Sequence, residues 1–193
     1  LHARARRRGA LGARTPPVAR PVGHFPDRMP ELPEVESAVR RLRPAVVGRR
    51  IVGVRTLHPS TARALPPDDA ARVVGRAVSD VVRRGKHQLL ALDDGSVVHA
   101  HFRMAGDWHV APTADPAPAH VRAALDLDDG VTVALVDGRA LGTLVWRPSL
   151  GAALPALGPD AVDAAFDAAY LAGALRGRRG PIKPALLDQG LVA

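Results

Sequence analysis

The sequence predicts an α+β protein, in which a β-sandwich flanked by one helix is followed by a helical segment. Two pairs of apolar runs are each joined by an Asp-Asp-Gly turn, at residues 93–95 and 128–130, and Asp-Gly between apolar runs is a strong hairpin signal. Apolar residues recur at helical spacing over residues 33–42, and alanine-rich sequence replaces the strand pattern after Gly158. Several short strands with turns at this spacing are typical of a sandwich.

The first predicted element is an amphipathic helix over residues 33–42, with one apolar face formed by residues four and three apart. Pro44 and Gly48 follow, and we expect them to stop the helix. A proline and carboxylates at its start suit the first turn of a helix.

Strands are predicted next, over residues 50–57 and 77–82, because the first is rich in β-branched residues and the second leads into a turn. Between them, residues 68–74 are predicted to form a short helix capped by Asp68. The turn, Arg-Arg-Gly-Lys at residues 83–86, concentrates positive charge, and we expect no nearby acid to neutralise it.

The two hairpins are the clearest strand predictions. The first pairs residues 88–92 with 96–102, and the second pairs residues 123–127 with 131–136. A loop biased towards proline and alanine, residues 112–118, is expected to be a flexible surface connection.

A domain boundary is predicted near residue 150. Residues 30–150 would form the β-sandwich domain, and residues 151–193 the start of a helical domain. In the second domain, residues 163–175 and 182–189 are predicted to be helices on either side of a basic, glycine-containing loop at residues 176–180.

Composition excludes some classes of function but does not identify a single one. The chain has 193 residues and no cysteine, which excludes disulfides and cysteine-ligated zinc within this sequence. No run approaches the roughly 18 apolar residues of a membrane span, and we expect a cytoplasmic protein. The formal charge of +8 depends on residues 1–28, which hold seven arginines against one acid and leave 20 basic and 18 acidic residues in the rest. The net charge of residues 29–193 therefore does not indicate a nucleic-acid partner, and only local clusters of basic residues can do so.

The most specific stretch is residues 29–36, Met-Pro-Glu-Leu-Pro-Glu-Val-Glu. It resembles the amino terminus of the formamidopyrimidine-DNA glycosylase and endonuclease VIII family, whose mature chains begin Pro-Glu-Leu-Pro-Glu-Val-Glu after loss of the initiator methionine. The resemblance implies that Pro30 is a nucleophile and that Glu31 acts beside it as acid or base. We expect Glu34 to support them and Glu36 to favour the start of the helix.

Only an amino-terminal proline carries a secondary amine, because the nitrogen of an internal proline is an amide and cannot attack a sugar. An α-amino group titrates near pH ~8, so a useful fraction is unprotonated at neutral pH. Residues 1–29 would then be a leader that is disordered, an organelle transit peptide or untranslated sequence. We favour the untranslated alternative, with Met29 as the start.

Three further motifs agree with the resemblance in collinear order. Lys86 matches a β-hairpin lysine of the family that contacts DNA phosphate and assists elimination. Residues 101–106, His-Phe-Arg-Met-Ala-Gly, are similar to the family's His-Leu-Gly-Met-Ser-Gly, whose methionine enters the gap left by an extruded nucleotide, which implies this role for Met104. Residues 137–142, Asp-Gly-Arg-Ala-Leu-Gly, look like the family's Asp-Pro-Arg-Arg-Phe-Gly, which implies that Arg139 reads the orphaned cytosine.

Each of these residues also has a simpler interpretation. Lys86 can lie in a solvated turn, Met104 can fill the core, and Arg139 can lie in an exposed turn after a strand. Arg103 stands where the family motif has glycine, a departure that would alter the loop or add a phosphate contact.

Residues 182–193 resemble the opening of the family's helix-two-turn-helix, and Lys183 at a helix start is either a phosphate ligand or an exposed lysine. In the family, a second helix and a zinc finger follow. We therefore interpret the chain as truncated before the end of this motif, and we expect no metal and no organic cofactor.

The resemblance covers residues 30–193 and implies a monomeric bacterial DNA glycosylase with AP-lyase activity, acting on damaged double-stranded DNA and associated with the nucleoid. It implies removal of oxidised bases such as formamidopyrimidines and 8-oxoguanine through a Schiff base on Pro30. The alternative is a truncated, non-catalytic protein that binds damaged DNA.

Overall fold

The computed structural model describes residues 30–193, so the expectations for residues 1–29 lie outside the described residues. The strands are β1 (Ile51–Thr56), β2 (Val78–Arg84), β3 (His87–Leu92), β4 (Val97–His101), β5 (Gly106–Pro112), β6 (Val121–Leu127), β7 (Val131–Asp137) and β8 (Thr143–Arg147). The helices are α1 (Leu32–Val46), α2 (Pro59–Ala64), α3 (Pro67–Val73), α4 (Leu150–Ala153), α5 (Ala168–Leu175) and α6 (Ile182–Leu186). None of these helices is long and apolar enough to cross a membrane.

The strands form two antiparallel four-stranded sheets, in the orders β1-β6-β7-β5 and β2-β3-β4-β8. Both Asp-Asp-Gly hairpins are present, because β3 pairs with β4 and β6 pairs with β7. Gly95 and Gly130 adopt φ angles of +83° and +79°, a left-handed conformation that glycine takes without strain. The α+β sandwich predicted from the sequence is confirmed.

One hydrophobic core lies between the inner faces of the two sheets and one face of α1. From α1, Val35, Val39 and Leu42 are at most 4% exposed, as their spacing predicted. Strand residues such as Leu90 and Leu135 are fully buried. Burying each side chain of this kind contributes roughly 1.5–3 kcal/mol, so the core fixes where α1 lies against the sheets.

Helix α1 does not stop at Pro44, as the sequence suggested, but continues to Val46. Pro44 lies in the last turn, where its missing N–H removes a single hydrogen bond. Val46 is 1% exposed, and its packing in the core stabilises that turn. The chain leaves the helix at Val47 and reverses at Gly48, which has a φ of +80°. The glycine therefore marks the end of the helix.

Helix α3 begins at Pro67 with Pro66 as its N-cap, so Asp68 lies in the first turn instead of capping the helix. Proline suits the first helical position because its fixed φ fits a helix and its missing N–H has no partner there. The sequence did not predict α2 and α4, since helices of six and four residues are too short to show a helical period.

Helix α5 begins at Ala168 and not at residue 163. The Asp167 carboxylate caps it by accepting the backbone N–H of Tyr170 at 2.7 Å. A capping carboxylate satisfies a free N–H group and favours extended backbone at its own position, which sets the helix start. Helix α6 also ends early, at Leu186.

The last residues are hydrogen-bonded to the segment that follows α4. The Gly158 N–H donates to the Gln189 carbonyl at 2.9 Å, and the Ala193 N–H donates to the Pro159 carbonyl at 2.9 Å. Leu191 and Ala193 are each 2% exposed. A Cβ atom on Gly158 would collide with the Leu191 backbone, so only glycine allows this close approach.

Candidate functional site

Three loops emerge at the same end of the β2-β3-β4-β8 sheet. His87 at the start of β3 pairs with His101 at the end of β4, and His101 also pairs with the start of β8. The turn before β3, the loop after β4 and the loop before β8 are therefore neighbours. They carry Lys86, Met104 and Arg139, three of the predicted site residues.

The start of α1 points to the same end of the sheet. Glu36 receives a hydrogen bond from Arg83, and Arg43, two turns further along the helix, donates to the Val81 carbonyl. The helix and strand β2 therefore run in opposite directions. As a result, residues 30–31, which precede α1, extend towards the end where the three loops emerge.

The backbone beside Pro30 is fixed by the start of α1. Glu31 is the N-cap and Pro33 is the second helical residue. The Glu31 N–H donates to the Glu34 carboxylate at 3.1 Å, which satisfies a backbone group that has no partner within the helix. This contact orders the backbone at Glu31, and the supporting role of Glu34 stays a prediction.

Lys86 occupies the tip of the β2–β3 hairpin, in a two-residue turn with Gly85. Gly85 has a φ of +55°, and a Cβ atom there would lie 3.2 Å from the Gln189 side chain and 3.3 Å from Ala193. Glycine therefore suits this position for both conformation and space. Within residues 30–193, Lys86 forms no ion pair, although both arginines before it do.

The two arginines of this turn are neutralised, contrary to the sequence prediction. Arg83 donates to Glu36 at 2.7 Å and to Asp160 at 2.6 Å. Arg84 lies 3.3 Å from Asp163. The acids come from α1 and from the segment after α4, so they are distant in sequence and adjacent only in the fold.

The Arg83 contacts keep two carboxylates ionised. The Arg83 side chain is 12% exposed and that of Asp160 is 6% exposed. Burial by itself would raise the pKa of Asp160, but hydrogen bonds, first of all from Arg83, hold it below its usual range. The hydrogen bond from Arg83 is also the largest cause of the lowered pKa of Glu36.

Met104 lies in the loop between β4 and β5 and is 36% exposed, so it does not fill the core. Phe102 anchors the loop at 2% exposure, and a Cβ atom on Gly106 would lie 2.8 Å from the Phe102 Cα. Arg103 adopts a φ of +55°, which glycine would adopt freely, and its N–H donates to His101 Nδ1 at 3.0 Å. The arginine therefore strains the loop, at a cost of roughly 1–2 kcal/mol.

Arg139 is exposed in the loop between β7 and β8, and Asp137 shapes that loop. The Asp137 carboxylate is fully buried and accepts three backbone N–H groups, those of Arg139 at 2.9 Å, Leu141 at 2.7 Å and Gly142 at 2.6 Å. Hydrogen bonds to a charged acceptor are strong, so this one side chain holds the loop. No role was predicted for Asp137 from the sequence, although an aspartate before glycine is a turn signal.

Three histidines form a cluster on the outer face of the same sheet, and no motif in the sequence predicted it. His87 Nδ1 lies 2.8 Å from His99 Nε2, and the rings of His87 and His101 meet edge-on with centroids 4.8 Å apart. Burial, followed by the charge of His87, lowers the pKa of His99 to about 4 and that of His101 to about 3. The cluster is therefore uncharged at neutral pH, and the described residues contain no group of side chains arranged to hold a metal ion.

Lys183 is exposed in the five-residue helix α6. No side-chain hydrogen bond or ion pair in the described part of the chain ties it to the loops that carry Lys86, Met104 and Arg139. The structure thus brings the other predicted residues to one end of the sandwich and leaves Lys183 in the C-terminal helical segment.

The chain is similar to known proteins over most of its length. The sequence model of the formamidopyrimidine-DNA glycosylase N-terminal domain matches residues 29–144. The formamidopyrimidine-DNA glycosylase of Rhizorhabdus wittichii is 41% identical over 169 residues, which cover 86% of this chain and 62% of that protein. The enzyme of the same name from Chloroflexus aggregans is 46% identical over 169 residues, covering 86% of this chain and 61% of that protein. The chain thus spans about three fifths of the length of these relatives.

Solved structures give the same result for the fold. Lactococcus lactis formamidopyrimidine-DNA glycosylase, non-covalently bound to DNA containing an AP site, has a TM-score of 0.77 and 28% identity, covering 85% of this chain and 64% of that chain. MutM in complex with DNA containing carbocyclic 8-oxo-G has a TM-score of 0.78 and 28% identity, covering 85% and 62%. On its sequence and its sandwich fold, this chain belongs to the formamidopyrimidine-DNA glycosylase family.

Proposed function

We propose that this protein is a DNA glycosylase with AP-lyase activity, which removes formamidopyrimidines and 8-oxoguanine from double-stranded DNA. The observation that carries the proposal is that distant parts of the sequence meet at one end of the sandwich. These parts are residues 30–31, Lys86, Met104 and Arg139. Base excision from a duplex requires a nucleophile, an acid, a phosphate-binding cation, an apolar wedge and a base-reading arginine. The names of the relatives also support the proposal.

The proposed chemistry has two stages on one sugar. The Pro30 amine attacks C1′ and displaces the base, which leaves with the proton that the amine gives up. Glu31 then protonates the ring oxygen, so the C1′–O4′ bond breaks, the sugar ring opens and an iminium joins Pro30 to C1′. Loss of a C2′ proton then expels the 3′ phosphate, with Lys86 assisting this elimination. Water finally hydrolyses the iminium and releases the amine. Positioned acid–base groups typically contribute ~10² to ~10⁴ in rate.

The remaining residues handle the DNA. Met104 is exposed on an anchored loop, as a side chain that enters a base stack must be. Arg139 carries a planar fork suited to paired acceptors on a base edge, and Asp137 holds its backbone in place. Lys183 would contact a phosphate.

The chemistry also requires that Pro30 be amino-terminal, because any preceding residue converts its nitrogen into an amide. The test compares a polypeptide that begins at Met29, and loses that methionine, with one that begins at Leu1. Mass spectrometry verifies each amino terminus. Borohydride reduces an iminium to a stable amine, so it traps the intermediate as a covalent protein–DNA adduct.

We expect an adduct with duplexes that contain 8-oxoguanine opposite cytosine or an abasic site, and only from the form that begins at Pro30. Binding of the same duplexes by that form without any adduct would instead support the non-catalytic DNA-binding alternative.

A further inference from the structure

Arg83 forms a partly buried junction between three parts of the chain. Its Nε donates to Glu36 at 2.7 Å, and its Nη1 donates to Asp160 at 2.6 Å and to the Gly85 carbonyl at 3.0 Å. A planar guanidinium can hold two carboxylates and a carbonyl in fixed directions, which a lysine ammonium cannot do.

Each partner leads to a different part of the proposed site. Glu36 lies in α1, whose start carries residues 30–31. Gly85 is the neighbour of Lys86 in the hairpin turn. Asp160 lies in the segment that is hydrogen-bonded to the last residues of the chain, and two of those residues pack against the turn. Arg83 is therefore a single side chain that contacts α1, the hairpin turn and the C-terminal segment at once.

We propose that Arg83 is a positioning residue, which sets the spacing between the Pro30 nitrogen and the Lys86 ammonium and thereby couples base removal to strand cleavage. This inference rests on the proposed function, in which both groups act on the same sugar. Misplacing a reacting group by about 1 Å reduces a rate by as much as ~100-fold, so a fixed spacing matters for the second stage.

Arg84 is a matched control for Arg83. It is the next residue, carries the same charge and also pairs with an acid, Asp163, at 3.3 Å. Its side chain is 39% exposed and that of Asp163 is 46% exposed. Surface pairs of this kind contribute little, so Arg84→Gln changes the charge as Arg83→Gln does but leaves the partly buried junction intact.

The first experiment is amide hydrogen exchange on the full chain, which does not depend on activity. In Arg83→Gln we expect exchange at residues 31–34 and 85–87 to become faster by about tenfold or more, while Arg84→Gln leaves both segments unchanged. Equal exchange in a folded Arg83→Gln protein, or the same acceleration in Arg84→Gln, would overturn the inference.

A further variant keeps the test valid if Arg83→Gln does not fold, since that change leaves Asp160 buried without its partner. Glu36→Ala retains the Arg83–Asp160 pair and breaks only the link to α1. We expect faster exchange at residues 31–34 in this variant. No change there would contradict the proposed role of the junction.

The second experiment measures single-turnover cleavage at a preformed abasic site, with the form that begins at Pro30. We expect Arg83→Gln to reduce the strand-cleavage rate by about 10- to 100-fold while the yield of borohydride adduct and the KM for DNA stay near those of the parent. Proportional losses in both steps would mark a merely structural role. If the parent forms no adduct, the proposed function fails, and the exchange comparison still decides whether Arg83 positions the two segments.

Discussion

The sandwich, residues 30–147 with α1, and the C-terminal region, residues 150–193, are stabilised in different ways. In the sandwich, every strand is paired within a four-stranded sheet, and the inner faces of both sheets are buried in one core. In the C-terminal region, α5 and α6 bury no residue, and Val162, Ile182 and Leu187 are 84%, 55% and 65% exposed. The C-terminal region is instead stabilised by a few individual contacts, whereas the sandwich is stabilised by many.

The largest expected difference between the two regions is in the effect of truncating an apolar side chain. Leu135 is fully buried in the sandwich core, so Leu135→Ala should lower the free energy of unfolding by roughly 2–5 kcal/mol. Leu187→Ala should change it by less than about 0.5 kcal/mol. Urea unfolding measures both values. Similar losses in the two variants would show that the C-terminal region is packed as tightly as the sandwich.

Loop aspartates should show the same contrast. Asp137→Ala removes the buried acceptor of three backbone N–H groups and should cost roughly 3 kcal/mol. Asp188, which accepts the Gly190 N–H, is 45% exposed, and Asp188→Ala should cost less than about 1 kcal/mol because water can replace the contact. Thermal and urea unfolding of both variants provide the measurement, and an equal cost would contradict the special role of Asp137.

The two regions should also contribute differently to DNA binding. Arg139→Ala should relax discrimination of the base opposite the lesion by roughly 1–3 kcal/mol, since a base-edge contact is lost. Lys183→Ala should weaken binding to all sequences alike and reduce the salt slope by about one. Binding assays with each of the four opposite bases at several salt concentrations separate these outcomes. Equal loss across all four bases would identify Arg139 as a phosphate contact.

Acid should destabilise the sandwich through its histidine cluster. The folded-state pKa values of His99 and His101 are about 4 and about 3, well below the value of ~6.5 in an unfolded chain. Between these values the unfolded chain binds protons that the folded protein does not bind. Stability is therefore greatest above pH ~6.5 and falls as the pH decreases, by up to ~1.4 kcal/mol per pH unit for each histidine.

Urea unfolding between pH 7 and pH 5 measures this slope, and the window is specific to histidine. Glu36 and Asp160, whose pKa values are also lowered, lose their stabilising effect only below pH ~4.5. Replacing His99 and His101 by glutamine should flatten the slope, whereas His120→Asn, at an exposed loop position, should not. An unchanged slope in the double variant would exclude His99 and His101 as its source.

The smallest expected effect lies in α5. Asp167→Ala removes the cap on the Tyr170 N–H and should cost about 1 kcal/mol. Because α5 buries no residue, we expect the loss to appear as faster amide exchange within α5 and not at strand positions. A matching acceleration in β3 would mean that α5 and the sandwich unfold together.

The sequence by itself determined the elements that depend on short-range physics. The two Asp-Asp-Gly turns require residues that tolerate a left-handed backbone, and the buried face of α1 follows from residues three and four apart. Candidate residues Pro30, Lys86, Met104 and Arg139 were identified differently, because each lies within a short motif that resembles one of the family.

Only the tertiary structure decided how these pieces meet. Arg83 is 47 residues from Glu36 and 77 from Asp160, so no local pattern could show that a basic turn is neutralised. The end of α1 and the histidine cluster also depend on packing, since core burial of Val46 outweighs a nearby proline and burial sets the histidine pKa values. Hydrogen bonds and desolvation depend on which residues are close in space, whereas the sequence shows only which residues are close along the chain.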